Sequence, residues 1–512
     1  MRVPIEIAPG IASDDTTFAT GSRWADGDGV RFWQGKPQTI GGFADALNGD
    51  TLGGVCRNVM AWTNTNSATA IAFGTHLTLE LYYNGGLYDI TPSGLTAGAV
   101  DDTAGGTPGF GSSTFGTGTW GSGASTYYAR TWSLSAYGNN LVACPRGGTI
   151  YEWTGTVANP AAAITNAPAT VTYALVTPQR QLIAFGCNEE VSGDWNPICI
   201  RGSHIEDLTD WTTTATNYAF EDVSLQGSGR IVAASMLGPW LAVWTNTNLW
   251  LGEYVGQPDQ VYRFNLVGEN CGLIGPNAFA ILGQTAIWLA PDKEFRIYAV
   301  GDQPRILPCP IGKDIRDNLD ETQANKICAS ALSMFGEVWF HYPDSRDTTG
   351  DASENSRYVA LGMQDGGGWF KGTLARTATT ASGVLRYPLK VTSGGMVYYH
   401  EYGDTGAGSA MNWNIRTADI YLDNGGQAVM ARSFVPDFED QQGDVSITFY
   451  AKQYPQSTAT THGPYTIAEG DLKKDIRFNA KLVALEYSGG SASGSYMRLG
   501  KPVMDIAMTG RR

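Results

Sequence analysis

Trp240-Leu241-Ala242-Val243-Trp244 passes through Asn246 and Asn248 into Leu249-Trp250-Leu251. The apolar runs are too short for helices, and the residues between them are turn formers. The stretch therefore reads as a strand, a tight reversal and a second strand. The same pattern recurs outward along the chain. Asn140-Leu141-Val142-Ala143 leads to Thr149-Ile150-Tyr151-Glu152-Trp153. Ala280-Ile281-Leu282 leads through Ala286-Ile287-Trp288-Leu289 to Phe295-Arg296-Ile297-Tyr298. Glu337-Val338-Trp339-Phe340 leads to Tyr358-Val359-Ala360-Leu361, and Leu389-Lys390-Val391 to Met396-Val397-Tyr398-Tyr399. Units spaced roughly 45 to 60 residues apart match propeller blades of four strands each. The expectation is an all-β chain with a β-propeller over residues 55–405, of about six blades with seven possible. The 64 glycines, 24 tyrosines and 15 tryptophans agree, because such a composition favours short strands and tight turns over helices.

The flanks read differently. Residues 1–54 form an extended N-terminal arm with a first hairpin: Pro4, Pro9 and Gly10 exclude a stable helix. Val30-Arg31-Phe32 before Gln34-Gly35 has the form of a strand entering a hairpin turn. Asp26 and Asp28 lack the further ligands and closing Glu of a calcium loop, so they read as turn residues. Residues 104–127, AGGTPGFGSSTFGTGTWGSGASTY, carry no charge and place Phe110, Phe115 and Trp120 at regular intervals among Gly, Ser and Thr. Either this is a plain surface loop or it docks its rings into pockets on a neighbour. On the second reading Phe110, Phe115 and Trp120, with Trp24, Phe32 and Trp33 of the arm, are the expected assembly contacts. Gly312 to Asn325 breaks the strand texture and suggests one short helix with Ile315 and Leu319 on one face. Residues 406–430 look like a linker. Residues 431–512 look like a separate β-sandwich-like domain, since Val445 to Tyr450 and Asp475 to Phe478 alternate.

A net charge of −15 disfavours a tight grip on nucleic acid. Arginine outnumbers lysine, and no lysine lies between Lys36 and Lys293. Arginine suits permanent paired contacts, so this tilts toward large interfaces. The seven cysteines include no CxxC pair and sit in apolar contexts. Without a signal-peptide pattern or membrane span, the chain is expected to fold in a reducing cytoplasm.

The chemistry of catalysis is hard to find. Asp365-Gly366-Gly367-Gly368-Trp369-Phe370 matches part of a sialidase-type Asp-box, but Met363 replaces the hydroxyl residue and the run reads as a hairpin. No G-x-S-x-G elbow, phosphate-cradling loop or H-E-x-x-H motif is present. His204 with Glu206, Asp207 and Asp210 is the best acidic group, and it looks like an inter-strand turn. The expectation is a non-enzyme without metal or cofactor.

Three stretches resemble tail-tube nozzle and head-to-tail stabilisation proteins of podovirus-type bacteriophages. The first is Arg23-Trp24-Ala25-Asp26-Gly27-Asp28-Gly29-Val30-Arg31-Phe32, followed by Gly35, Pro37 and Ile40-Gly41-Gly42-Phe43. The second is the aromatic–glycine tract at 109–123. The third combines Arg180 to Gly186, Ile198 to Arg201, Asp207-Leu208-Thr209-Asp210-Trp211 and Asn270-Cys271-Gly272-Leu273-Ile274-Gly275-Pro276. Met497-Arg498-Leu499-Gly500 resembles the closing strand pair of the same proteins, although Lys501-Pro502 departs from it. The resemblance implies a virion subunit assembled in the host cytoplasm, a hexameric ring closing the tail tube. It implies contacts with adaptor or connector proteins and with tail fibres or spikes. Double-stranded DNA would pass down the shared channel at ejection, with carboxylates lining that channel to keep the phosphates sliding. The alternative is a propeller that binds glycans or receptors.

Overall fold

A computed structural model of the chain describes residues 1–508 apart from 21, 66, 104–127, 228, 259, 349–351, 382, 424–426 and 492. Seven four-stranded antiparallel sheets follow one another and close into a ring. Six are contiguous in sequence: 56–89, 132–163, 171–222, 231–268, 279–306 and 328–373. The seventh takes three strands from 378–400 and its outermost strand, Phe43–Asp45, from the other end of the chain. Innermost strands of most successive blades touch, Trp244 and Phe279 join the fourth to the fifth, and Ala378–Thr379 of the seventh returns to Cys56–Thr63 of the first. The ring is a seven-bladed β-propeller. Most strand–turn–strand pairs legible in the sequence are the middle strands of their blades, as Leu241 opposite Gly252 illustrates, whereas Ala280-Ile281-Leu282 belongs to the innermost strand of blade five.

Aromatic side chains fasten blade to blade. Trp132 donates its indole N–H to the carbonyl of Thr75 at 2.8 Å, tying blade two to blade one. Trp244 of blade four stacks on Phe279 of blade five with ring centroids 4.8 Å apart. Phe295 of blade five meets Phe340 and Trp369 of blade six at 5.0 and 4.8 Å. Such rings bury large areas at defined geometry, which fixes the angle between neighbouring sheets.

The second body is a β-sandwich-like domain, and its boundaries differ from those expected. It begins at Trp413–Thr417, whose alternating burial places it as an interior strand, so 406–430 is not a linker. It also absorbs the N-terminal arm: Arg2–Pro4 pairs with Val503–Met508, Trp24–Asp28 with Trp413–Thr417, and Lys36–Thr39 with Tyr496–Leu499. Phe434 of one sheet faces Phe449 and Tyr487 of another at 5.7 and 6.4 Å. Residues expected to form an extended arm thus supply strands to the sandwich sheets. The hairpin expected at Gln34-Gly35 is present, with Val30 opposite Thr39 and positive φ at both turn residues (51° and 79°), the geometry a two-residue hairpin requires. The short helix is Gly312–Asn318, with Ile315 and Leu319 buried beneath it, followed by a 3-10 segment, Glu321–Lys326.

Candidate functional site at the mouth of the propeller channel

Charged groups gather at the seam between the domains and on the propeller face that carries Asp101, Asp102 and Tyr128. The seam is built by the motif around Arg31. Its hairpin tip lies against blade six, where Gly35 N–H donates to the Gly366 carbonyl at 2.9 Å. Arg31 itself is fully buried, with its guanidinium 2.7 and 2.5 Å from the two carboxylate oxygens of Glu401 and 3.1 Å from Glu337. The fork geometry suits a carboxylate bidentately, and the Phe335 ring covers it at 3.9 Å. Burial lifts the Glu337 carboxyl to about 7, while Arg31 opposes the shift. Gly42 follows, and a side chain there would come 2.5 Å from the Thr405 carbonyl, so the chain can thread into the closing strand only without one. Asp26 pairs with Lys371 at 3.2 Å, and Asp28 accepts the Thr373 N–H at 3.0 Å. Both therefore act as links to blade six.

The expected assembly contacts of the arm need correction. Trp24 and Phe32 are 2% and 1% exposed and pack on each other, and Trp24 also packs on Tyr487. Trp33 lies half-buried with its ring 5.2 Å from Phe335. These rings serve the chain's own core and seam, because the alternating strands that carry them are sheet members and not a loose arm. Phe110, Phe115 and Trp120 lie outside the described residues.

Between blades six and seven, the seam continues into a cationic cluster. Lys390 Nζ lies 3.1 Å from His341 Nε2 and 3.8 Å from the centre of the Trp339 ring. Arg376 donates to His400 Nε2 at 3.0 Å. Burial drives Lys390 down to about 7 and holds both histidines well below their ordinary value, with the neighbouring cations adding to the effect. All four side chains are buried between the two blades, where they form a wedge.

On the channel face, the connection from blade one to blade two crosses to the far side of the ring. Asp102 N–H donates to Gln323 Oε1 at 3.0 Å, and its carboxylate accepts from Asn325 and Ala129. Gln323 and Asn325 belong to the link between blades five and six. Asp101 meets the Lys326 ammonium at 2.6 Å; burial would raise this carboxyl, but Lys326 and Ser353 hold it below the usual range. Arg57 of blade one forms a bidentate pair with Glu354 of blade six, both contacts at 2.6 Å. Non-adjacent blades joined at hydrogen-bonding distance mean that this end of the channel is bridged. From that bridge Tyr128 projects, its hydroxyl accepting from Arg230 at 2.5 Å and its ring 4.5 Å from Arg146. Beside it lies a cavity of about 420 Å³ lined by Arg130, Arg146, Arg230 and Trp195.

The remaining sequence candidates are structural. His204 accepts the Tyr218 N–H, Asp207 caps Thr209, and Asp210 accepts from Asn217, so this group is a turn between strands of blade three. The 365–370 glycines make a hairpin with Leu361 opposite Trp369. Among the described residues no cluster of His, Cys, Asp and Glu could hold a metal ion. Sequence reading missed the Arg31 carboxylate pair, the Lys390 cluster and the arginine cavity, because their members are distant in the chain. It also missed the contact of Cys187 with Cys199, whose sulfurs lie 3.8 Å apart as buried thiols.

No family model matches the chain, and no curated protein matches it. Solved structures similar to it include β-propellers, all at low identity. The Cps50 (Swd1) propeller domain of Myceliophthora thermophila is 11% identical with a TM-score of 0.41, covering 71% of this chain and 99% of that one. BamB from Moraxella catarrhalis is 10% identical with a TM-score of 0.38, covering 73% and 96%. The computationally designed Ika8 protein is 12% identical with a TM-score of 0.36, covering 77% and 99%. The fold assignment stands on the seven sheets themselves, and these likenesses carry nothing about activity.

Proposed function

We propose that the chain is a structural subunit of a short bacteriophage tail, a propeller that assembles into the ring-shaped nozzle or hub closing the tail tube. One observation carries the reading. The stretch that resembles nozzle proteins most fully, residues 23–43, is the segment that locks the sandwich onto the propeller through Arg31, Gly42 and the closing strand Phe43–Asp45. A motif spent on rigid internal fastening suits a building block better than a catalyst. Phe110, Phe115 and Trp120 remain the proposed contacts with a neighbouring subunit, and connector proteins and tail fibres or spikes the proposed partners. A second reading, glycan or receptor binding, is favoured by Trp195, which is 48% exposed beside the arginine cavity.

Light scattering and negative-stain imaging of the purified chain, alone and mixed with phage tails lacking it, test the proposal. A closed ring that joins the tail is expected. A chain that stays monomeric, never joins the tail and binds cell-wall sugars overturns it in favour of the second reading.

A further inference from the structure

The 420 Å³ cavity beside Tyr128 has an unusual electrostatic make-up for a chain of net charge −15. Arg130, Arg146 and Arg230 all line it, and their hydrogen-bond partners are neutral. Arg130 donates to the Thr96 carbonyl at 2.5 Å, Arg146 to Asn325 Oδ1 at 2.8 Å and Arg230 to the Tyr128 hydroxyl at 2.5 Å. Most partnered arginines elsewhere are paired with carboxylates, as Arg31, Arg57, Arg346 and Arg357 are. Asp102 bears on Arg146 as one negative charge, and its oxygens are engaged by the neutral donors of Ala129 and Asn325. The 104–127 segment contains no acidic side chain, so it supplies no counter-charge. Burial, with Arg230 adding repulsion, presses Arg146 down to about 10, and Arg130 is lowered by burial as well. Arg146 and Arg230 stand over one Tyr128 ring, at 4.5 and 5.2 Å, and Arg130 lines the same cavity, so the single negative charge of Asp102 leaves a positive surplus that an added anion would complete.

The geometry points to an oxyanion-binding site here, taking a small ligand that carries a carboxylate or a phosphate monoester. Guanidinium groups fit both oxyanions through paired N–H donors. The cavity volume lies within the usual range for small-ligand pockets. Trp195 donates its indole N–H to the Gly186 carbonyl at 2.9 Å, which fixes its ring at the cavity wall, where a sugar-like ring attached to the oxyanion can lie against it.

Calorimetric titration of the full chain at low salt tests this with glucose 6-phosphate, glucuronate and neutral glucose as probes. Saturable binding of at least one charged probe and none of glucose is expected. The stronger of the two charged probes identifies phosphate or carboxylate as the natural group. Arg230→Gln should weaken binding about tenfold, the usual worth of one charge-assisted hydrogen bond, without changing the unfolding temperature, because this side chain is only half-buried. Trp195→Ala should weaken the ring-bearing probes and leave inorganic phosphate unchanged. No saturable binding of either charged probe, or equal binding by wild type and Arg230→Gln, overturns the proposal.

Discussion

Replacing Arg31 by Met strips the cation that is salt-bridged to both Glu337 and Glu401 while leaving both carboxylates enclosed at the seam. Breaking a buried pair from one side costs about 3–5 kcal/mol. The size can be worked independently. Without Arg31, the folded variant must hold one proton more than the wild type to neutralise the site, whereas an unfolded glutamate releases it near pH 4.3. A group with a raised folded value contributes stability fully at low pH and loses it as pH rises. The loss runs at about 1.36 kcal/mol per unit, so it amounts to about 4 kcal/mol between about pH 5 and pH 8. The two routes agree. Urea unfolding followed by tryptophan fluorescence, at both pH values and against the wild type, reads the difference. The variant should be close to wild type at the acidic end and weaker by several kcal/mol at the basic end. An equal deficit at both pH values, or a deficit under about 1 kcal/mol throughout, would show that the Arg31 pair does not fasten the domains.

Lys390→Met should leave the protein as stable at neutral pH or raise stability by up to about 4 kcal/mol, because a buried ammonium is exchanged for a side chain of similar length. In the wild type, burial lowers Lys390 to about 7, so stability should climb with pH above neutrality and the variant should lose that climb in a melting-temperature series. His341 and His400 are held below their ordinary value, so the unfolded chain takes protons near pH 6.5 that the folded chain refuses. Stability should therefore fall as pH drops through that range. Glu337, with its raised value, offsets one proton's worth, and His341→Gln should flatten the fall by about 1.36 kcal/mol per unit. Gly74→Ala places a carbon 2.4 Å from the Trp132 ring and should cost about 1–3 kcal/mol, with a changed near-ultraviolet circular dichroism spectrum.

The propeller was legible wherever a blade's middle strands stand together in sequence, as at 240–251, since one short apolar run and its neighbour reveal themselves by length and turn residues. The seventh blade was legible only in its middle strands at 389–399, because its outer strand, Phe43–Asp45, is three residues long and lies more than 330 residues from its partner Val397–His400. Trp413-Asn414-Ile415-Arg416-Thr417 does alternate, but the Gly-rich context before it and the DNGG run after it masked a five-residue signal. The arm's aromatics read as free contacts for a related reason. Apolar residues on a strand look alike whether they face a neighbour or the chain's own core, and only the pairing with the distant C-terminus decides. Charge networks such as Arg31 with Glu337 and Glu401 leave no local pattern at all.

The bridged channel bears on how a tail role can work. Asp101 and Asp102 come from between blades one and two, yet they are held by Gln323, Asn325 and Lys326 from between blades five and six. Arg146 of blade two reaches Asn325 as well, and Arg57 of blade one is locked to Glu354 of blade six. A strand of nucleic acid running along the propeller's own axis would have to break every one of these bonds, several of them charge-assisted and worth more than neutral ones. In the proposed ring, DNA must then pass along the axis shared by the subunits, outside each propeller. The carboxylates that matter for sliding are those on the outer surface of each subunit that faces this axis. The arginine cavity opens on the bridged face, and a face turned toward the shared axis would present three cations to passing phosphates. Sliding therefore favours an arrangement in which the bridged face points away from the shared axis or is covered by a neighbour. An image of the ring that places Arg146 and Arg230 in the lumen would contradict both the carboxylate-lined channel and the packing inferred from it.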